Sequence, residues 1–422
     1  MSDATSQATS DATERTADLL DAIGREELLA QIDESRPRIW RGLATSPALF
    51  GWDDLNNLLS RHPLEPSRLT LAKDRGTIPH ETYTTQRASS QNLRNVVPEA
   101  LHEQLAGGAT LVLNSVDELH EDTERTAADL ERMLHSTVLT NLYGSWTETQ
   151  GFGLHFDDQE VIVVQLSGRK RWRYYPPTRT AALLHDVVRP PRPTSEPYAD
   201  VVLEEGDVLY LPRGWWHGAS ASEGTPSLHL TYSVIPTTGV DFFRWFIRSL
   251  PAEECFRVDL PLRGTAADKD AHVRRMKDVL SEMLARPGLT DRFLDSLASR
   301  DNRRIYTNLP AAVTAPPASA PAVPAAEPVG LPAAVRLSYA RGRIVEGGTD
   351  ERPVFTAAGY RWEVGKARRV ALETLWDGAW HTVEEVREAV SEESWPRVEL
   401  FLADLLHRGL VTGTSRQAPA AH

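Results

Sequence analysis

Three residues with metal-binding side chains lie near the middle of the chain. His155 and Asp157 are two positions apart, and His217 ends the segment Leu-Pro-Arg-Gly-Trp-Trp-His. Residues two apart on a strand point to the same face, so the first two side chains can reach one ion. Two imidazoles and a carboxylate occupy one face of an octahedron and leave the other open, which is the donor set of a non-haem Fe(II) oxygenase. His-x-Asp alone is a weak signal, and the longer segment before His217 strengthens it.

The elements that must position these residues are mostly short and β-rich, with Gly and Pro between them. The strands that this pattern predicts are Leu111–Leu113, Val138–Leu142, Val161–Leu166, Arg171–Tyr175, Val208–Leu211 and Leu228–Val234. Strands of this number and length favour an antiparallel barrel or a double sheet. In this arrangement His155 and Asp157 lie on a strand, and a tight turn after Pro212 delivers His217. Helices are predicted over 17–32, 52–60 and 116–134.

A run of basic residues begins the strand that follows the first two candidate ligands. Lys170 and Trp172 share one face of this strand, and Arg169, Arg171 and Arg173 share the other. The face with the tryptophan is the better candidate for the inner one, which favours Lys170 over its neighbours as the buried cation. Such a cation needs an anion beside it, because an unpaired buried charge is very costly.

Both segments resemble the JmjC (cupin-like) 2-oxoglutarate oxygenases and are most similar to the ribosomal-oxygenase branch, which hydroxylates protein side chains. The resemblance covers roughly residues 35–310 and implies a double-stranded β-helix with Fe(II), 2-oxoglutarate and O2 as cofactor and cosubstrates. The family places a Lys or Arg at the position of Lys170 to hold the distal carboxylate of 2-oxoglutarate. Asn141 resembles a position that faces the cosubstrate, and His229 lies on a strand that returns past the metal. A satisfied strand-end amide and a core histidine explain these two equally well. Weaker lining candidates are Tyr143, Gln165, Ser227 and Thr231.

The remaining sequence predicts several further segments around the oxygenase domain. After that domain, the apolar residues recur at helical spacing. A stretch dominated by Ala and Pro comes next. The last segment is a unit in which Thr382 and Glu385 form a capping-box pattern. The expected fold is a mainly β cupin core with flanking helices, a helical dimerisation-like region and a C-terminal winged-helix domain. The expected boundaries are a disordered tail at 1–16, the oxygenase domain at 17–238, the helical region at 239–308, the linker at 309–332, the winged helix at 333–415 and a second tail at 416–422.

Composition limits the partners that the chain can take. The formal net charge of −13 over 422 residues argues against broad binding to nucleic acid or anionic membrane, and it suits a basic peptide. Cys255 is the single cysteine, which fits a reducing compartment such as the cytoplasm.

The apolar residues of the helical region indicate a homodimer, although an intramolecular core explains them nearly as well. The predicted third helix of the last domain carries Arg397 and Arg408 but also Glu399 and Asp404, so binding to DNA is not expected.

The function predicted from these residues and this resemblance is Fe(II)- and 2-oxoglutarate-dependent hydroxylation of a protein or peptide side chain. The resemblance implies an arginine or histidine of a ribosomal protein as substrate. Hydroxylation of a biosynthetic precursor peptide would use the same site, and N-demethylation would use the same iron. Two different classes of protein also fit the barrel: a non-catalytic cupin that acts as a sensor or transcription regulator, and a metal-binding cupin with different chemistry.

Overall fold

The computed structural model describes residues 19–43, 49–88, 93–183, 186, 192–221, 224–298, 304–309, 331–346 and 353–414. The chain divides into two compact units, Met1–Pro236 and Thr237–His422. Both predicted tails and residues 310–330 of the predicted linker lie outside the described residues.

The first unit begins with helices that pack on a large sheet. The helices are α1 (Leu19–Ile23), α2 (Arg25–Glu34), α3 (Trp52–Arg61), α4 (Pro98–Ala106) and α5 (Glu121–Leu134). The single helix expected over 17–32 is wrong at Gly24, where the backbone turns to a φ of 87° and separates α1 from α2. Glycine adopts this left-handed conformation without the steric penalty that a Cβ would add.

The strands of the first unit form two sheets and a ribbon, and every pairing between the described strands is antiparallel. The strands are β1 (Arg38–Trp40), β2 (Leu69–Lys73), β3 (Gly76–Ile78), β4 (Thr84–Gln86), β5 (Arg94–Val96), β6 (Thr110–Leu113), β7 (Val138–Ser145), β8 (Glu160–Ser167), β9 (Lys170–Tyr175), β10 (Ala199–Leu203), β11 (Val208–Leu211), β12 (Trp216–Ala221) and β13 (Ser227–Val234). A large sheet has the order β1-β11-β8-β13-β7-β6-β2-β3, and a smaller one has the order β10-β9-β12. A separate ribbon pairs β4 with β5.

Strand β8 shows how the two sheets enclose an interior. Its residues Ile162 and Val164 belong to the core that also contains the buried residues of the helices. The alternate residues Val161 and Val163 pack instead with Trp172 of β9. Because successive side chains point to opposite faces, one face of the large sheet carries the helices and the other faces the small sheet. This is the double-sheet cupin arrangement expected from the sequence.

Two strands of the small sheet, β10 and β12, were not expected. Strand β12 has the sequence Trp-His-Gly-Ala-Ser-Ala, which has little intrinsic β propensity. It forms because each of its residues pairs with β9, including His217 with Tyr174. His217 therefore lies on a strand directly after the turn, and not in the turn itself.

The turn between β8 and β9 makes a strong stability prediction. Gly168 has a φ of +66°, and a Cβ at this position would lie 1.8 Å from the carbonyl oxygen of Pro226. Gly224 has a similar φ of +69° with no atom within 4 Å of a Cβ. Gly224→Ala is expected to lower the free energy of unfolding by about 1–2 kcal/mol, the cost of a left-handed alanine. Gly168→Ala adds a backbone collision and should cost clearly more. Urea unfolding of both variants checks this, and equal losses would contradict it.

The second unit contains three helices, then small sheets and three further helices. Its elements are α6 (Gly239–Phe246), α7 (Ala266–Leu284), α8 (Leu289–Ala298), β14 (Ala334–Leu337), β15 (Arg343–Val345), β16 (Val354–Ala357), β17 (Tyr360–Glu363), α9 (Lys366–Thr374), β18 (His381–Thr382), α10 (Val383–Glu388), α11 (Trp395–His407) and β19 (Val411–Thr414). The sheets have the orders β18-β14-β19 and β15-β16-β17. Buried residues of α9, α10 and α11 form one core with β14 and β19. Among the described helices, none is both long and apolar enough to cross a bilayer.

Candidate active site

His155 and His217 face each other as an isolated pair of bridged residues. The amide N–H of His155 donates to the carbonyl of His217 at 3.0 Å, and the amide of His217 donates back at 2.6 Å. Directly opposed residues in an antiparallel pair bring their side chains side by side. The two imidazole centroids are accordingly 4.3 Å apart.

Backbone carbonyls fix which ring nitrogen of each histidine is free. His155 Nδ1 lies 2.9 Å from the carbonyl oxygen of Gly153, and His217 Nδ1 lies 3.1 Å from that of Trp215. A carbonyl only accepts hydrogen bonds, so each Nδ1 must carry a proton, and in the neutral ring the lone pair is then on Nε2. This is the orientation that metal-binding histidines usually have. Burial and the neighbouring His155 lower the pKa of His217, which favours the neutral imidazole.

Asp157 completes the group. One carboxylate oxygen lies 3.9 Å from His155 Nε2 and the other lies 3.5 Å from His217 Nε2. Its backbone carbonyl accepts from the amide of Gly214, which ties Asp157 to the turn before β12. One ligand atom from each of the three residues lies within 4.8 Å of the others. Two nitrogen atoms and one oxygen atom around a common point fit a divalent transition metal with open coordination positions.

The local structure that positions the triad differs from the prediction. His155 and Asp157 are not on a regular strand: they lie between β7 and β8, where His155 makes only the bridge to His217. Gly153, with a φ of +69°, turns the chain immediately before them. The two side chains still converge, because the bridge and the Gly214 contact fix the backbone at both residues.

Lys170 lies at the start of β9, and its side chain enters the space between the sheets. The strand alternates as predicted: Lys170 is 3% exposed and Trp172 4% exposed, whereas Arg171 and Arg173 are exposed. Its Nζ donates to Ser145 Oγ at 2.6 Å, and in the described part of the chain no carboxylate lies within ion-pair distance. Burial lowers the pKa of Lys170 to about 7. A buried cation without a counter-charge indicates a site for an anion.

A cavity of ≈ 250 Å³ joins the triad to Lys170. In β9 and β12, Lys170 pairs with Ala221 and Tyr174 pairs with His217. The backbone positions of Lys170 and His217 are therefore four residues apart along the sheet, about 13 Å at the usual rise per residue. The other lining residues include Tyr143, Trp172, His229 and Thr231.

Buried polar atoms in the cavity wall have no protein partner. Trp172 Nε1 and His229 Nδ1 are buried without a hydrogen bond in the described structure. Buried polar groups are normally satisfied, so these atoms are available to a bound molecule. Burial, and then the charge of Lys170, lower the pKa of His229 well below its ordinary value. Burial and the nearby Asp157 raise the pKa of Tyr143 to about 12, so both side chains are neutral at physiological pH.

The remaining candidates differ in how close they come to this cavity. Asn141 does not line it: its amide oxygen accepts from the backbone N–H of Ser115 at 3.1 Å, and its side chain bonds to Tyr143. Gln165 donates to Ser227 Oγ at 2.9 Å, and neither residue lines the cavity. Asn141 can therefore act on the cavity only through Tyr143.

Two residues near Lys170 were missed in the sequence. Thr110 Oγ1 lies 3.3 Å from Ser145 Oγ, which in turn accepts the hydrogen bond from Lys170. Hydroxyl residues near strand ends are common, and only the pairing of β6 with β7 brings these two together. No sequence signal distinguishes them. Phe152, which is 43% exposed and also lines the cavity, was missed for the same reason.

Comparisons with known proteins agree with this geometry. Residues 117–242 match the family described as "JmjC domain". A bifunctional lysine-specific demethylase and histidyl-hydroxylase NO66 of Drosophila persimilis is 31% identical over 186 residues, which is 40% of this chain and 27% of that protein. Ribosomal oxygenase 1 of Homo sapiens is 42% identical over 109 residues, 25% of this chain and 17% of that protein. The chain thus spans about a quarter or less of the length of these relatives.

Solved structures show the same fold over most of the chain. A structure of YcfD, a ribosomal oxygenase from Escherichia coli, in complex with cobalt and 2-oxoglutarate has a TM-score of 0.58 and 19% identity, and the match covers 92% of this chain and 97% of that one. A second structure of the same protein has a TM-score of 0.57 and 18% identity, over 89% of this chain and 94% of that one. Residues 117–242 therefore match a JmjC domain, and the fold of the solved structures extends over most of the chain.

Proposed function

We propose that the chain is an Fe(II)- and 2-oxoglutarate-dependent dioxygenase that hydroxylates a side chain of a protein or peptide. The observation that carries this proposal is that an open His-Asp-His triad and a buried, uncompensated lysine line one cavity. A metal-binding cupin with other chemistry would have no use for the lysine. The overall reaction converts 2-oxoglutarate, O2 and a C–H bond into succinate, CO2 and a C–OH group.

Different residues of the chain bind the metal and the cosubstrate. His155, Asp157 and His217 hold the ion, and the bound Fe(II) would supply the redox chemistry that couples decarboxylation to hydroxylation. Lys170 fixes the distal carboxylate of 2-oxoglutarate, so the molecule can enter in only one orientation. Trp172 covers the inner side of the cavity and keeps water from it. The triad itself is reachable from outside, because the side chains of His155 and Asp157 are 37% and 39% exposed.

A polypeptide is the proposed substrate. Relatives of this domain are named as a lysine-specific demethylase and histidyl-hydroxylase and as a ribosomal oxygenase, which favours a histidine of a ribosomal protein. An arginine of such a protein is the other substrate that the family resemblance implies. The net charge of −13 suits a basic partner. Hydroxylation of an N-methyl group would lead to demethylation with the same residues. A precursor peptide is the alternative substrate of the same reaction.

Release of succinate from 2-oxoglutarate tests the reaction class. The purified protein with Fe(II) is expected to form succinate, and a mixture of ribosomal proteins should accelerate this and gain a one-oxygen mass shift. The same mass shift should be lost from ribosomal proteins of a strain that lacks the gene. If the protein neither binds nor turns over 2-oxoglutarate with any peptide mixture, the proposal is wrong.

The binding of 2-oxoglutarate is expected to depend on pH through Lys170. The pKa of Lys170 is about 7 in the free protein, and a carboxylate beside Nζ raises it, so binding takes up a proton. The affinity should be nearly constant below pH 7 and should weaken by up to about tenfold per pH unit above it. The facing groups His229 and Tyr143 are neutral throughout this range. Calorimetry between pH 6 and 9 measures the effect, and Lys170→Arg, which stays charged, should show a much flatter profile.

A homodimer is a further part of the proposal, through α6 and the residues that follow it. These residues expose a set of large apolar side chains: Val240, Phe243, Ile247, Val258, Leu260 and Leu262. Several large apolar side chains exposed within one segment are typical of interfaces between proteins. Light scattering should give twice the mass of the chain, and Phe243→Arg should shift it toward the monomer. A monomer at micromolar concentration would contradict the dimer.

The helices α9–α11 with β14, β18 and β19 are proposed as a winged-helix module that docks substrate. Arg408, one of the two basic candidates of the predicted third helix, binds Asp404 at 3.0 Å, and its guanidinium carbon lies 4.1 Å from the ring centroid of Tyr360. A cation held in this way is not presented to phosphates, which argues against a DNA-reading role. Deleting this unit should raise the KM for a protein substrate and leave 2-oxoglutarate binding unchanged.

A further inference from the structure

The hairpin between β2 and β3 has an unfavourable turn at its tip. Lys73 pairs with Gly76, so Asp74 and Arg75 form a two-residue loop. Their φ angles are 50° and 69°, both in the left-handed region. Loops of this kind favour Asn-Gly or Asp-Gly, so Asp74 suits the first position, whereas Arg75 occupies the position where glycine is usual and is strained there. Strained non-glycine residues cluster at functional sites.

The tip of this hairpin contacts the segment that leads into His155. The amide N–H of Arg75 donates to the carbonyl of Gly151 at 2.9 Å. The side chain of Arg75 lies over Gly153: a Cβ on Gly153 would be 2.6 Å from Arg75 Nε and 3.2 Å from Cγ. The close approach therefore depends on glycine at position 153, and both glycines line the cavity.

The two glycines are held in different ways. Gly151 is wedged between β2 and β6, since its Cβ would lie 2.8 Å from Thr110 Oγ1 and 3.3 Å from the carbonyl oxygen of Ala72. For Gly153, the three nearest atoms to such a Cβ all belong to the Arg75 side chain. The carbonyl of Gly153 is the group that accepts from His155 Nδ1. The residue that supplies this carbonyl is thus in close contact with an arginine far away in sequence.

We propose that Arg75 is a positioning residue for the metal ligand His155. Its side chain holds Gly153, and the fixed Gly153 carbonyl in turn sets the tautomer and the rotation of the His155 ring. Arg75 touches neither metal nor substrate in this role. The inference rests on the proposed metal site and adds to it a residue from a separate hairpin.

Cobalt(II) binding to the full-length protein, followed by calorimetry and visible absorption, tests this. Arg75→Gly removes the side chain but keeps the N–H that binds Gly151, and it relieves the left-handed backbone. Asp74→Gly is the matched control, because it introduces glycine at the adjacent left-handed position of the same loop. Asp74→Gly should bind cobalt as the wild type does. Arg75→Gly should bind about tenfold more weakly, the lower end for loss of an outer-sphere partner, and its cobalt absorption bands should shift.

Melting temperatures and a conservative variant distinguish a positioning role of Arg75 from a role in folding. Neither glycine variant should melt below the wild type, because each turn gains a residue that tolerates positive φ. Arg75→Lys keeps the aliphatic stem over Gly153 and should recover most of the cobalt affinity. If Arg75→Gly binds cobalt as tightly as Asp74→Gly, with an unchanged spectrum, the positioning role is wrong. If His155→Ala binds cobalt as tightly as the wild type, the metal site itself is wrong.

Discussion

Asp157→Ala is expected to abolish succinate formation and to weaken metal binding more than about 100-fold, beyond the usual effect of outer-sphere changes. Asp157 is the only carboxylate among the three residues whose ligand atoms converge. Without it, two neutral imidazoles would hold a divalent ion with no anionic ligand. The side chain is 39% exposed, and its backbone contact to Gly214 does not depend on it, so the fold should not change. Calorimetry with Mn(II) and a thermal melt measure the two effects.

Asp158→Ala is the matched control for this prediction. Asp158 is adjacent in sequence and similar in burial, but it is not part of the metal-binding group. It should bind the ion and turn over 2-oxoglutarate as the wild type does. If Asp158→Ala loses metal and Asp157→Ala retains it, the ligand set has been assigned to the wrong carboxylate.

Lys170→Met is expected to weaken 2-oxoglutarate binding by at least about 30-fold, the equivalent of about 2 kcal/mol for one lost partner of a buried charge pair. The variant should bind metal normally, because Lys170 is about four residues along the sheet from the level of His217. Arg171→Met, one residue away on the exposed face, should have no effect on cosubstrate affinity. Titration of 2-oxoglutarate into the Mn(II)-loaded variants measures this.

The same substitution should stabilise the ligand-free protein. Burial holds the pKa of Lys170 near 7, far below the ordinary value of 10.5, so unfolding takes up a proton between these two values. The buried charge therefore lowers the free energy of unfolding of the wild type most at pH 7 and below. This loss becomes smaller as the pH rises toward 10. Met has no charge, so the gain in melting temperature should be larger at pH 7 than at pH 9. If Lys170→Met melts below the wild type at both pH values, Lys170 stabilises the ligand-free fold and the prediction is wrong.

Local patterns in the sequence predicted the convergence of the three candidate ligands and the inner face of β9. Lys170 and Trp172 alternate with arginines in the sequence, and buried and exposed residues alternate in the same way along the strand. The convergence of His155 and Asp157 was also expected, although on a strand that the structure does not contain. For these two residues the spacing correctly predicted that the side chains converge, whereas the predicted strand was wrong. A single bridge to His217 gives the backbone the geometry that a strand would have given it.

The contacts that support the site could not be predicted, because they join residues far apart in sequence. Ser145 reaches Lys170 only through the meeting of β7 with the small sheet, and Arg75 reaches Gly153 only through a hairpin tip. Strand β12 is similar: its own sequence is a poor strand former, and the pairing with β9 creates it. Asn141 shows the opposite case, since a position that resembles a cosubstrate contact is used here for bonds to Ser115 and Tyr143.

The reciprocal hydrogen bonds between His155 and His217 make the two amide protons natural reporters of metal occupancy. Each amide is protected by the carbonyl of the other ligand, and this bridge lies outside the regular strands. An ion bound by both rings links the same two residues a second time, so the bridge can open only when the ion has left. Hydrogen–deuterium exchange at these amides should therefore slow with added Mn(II) in proportion to occupancy. Exchange at the central amides of β13 should hardly respond.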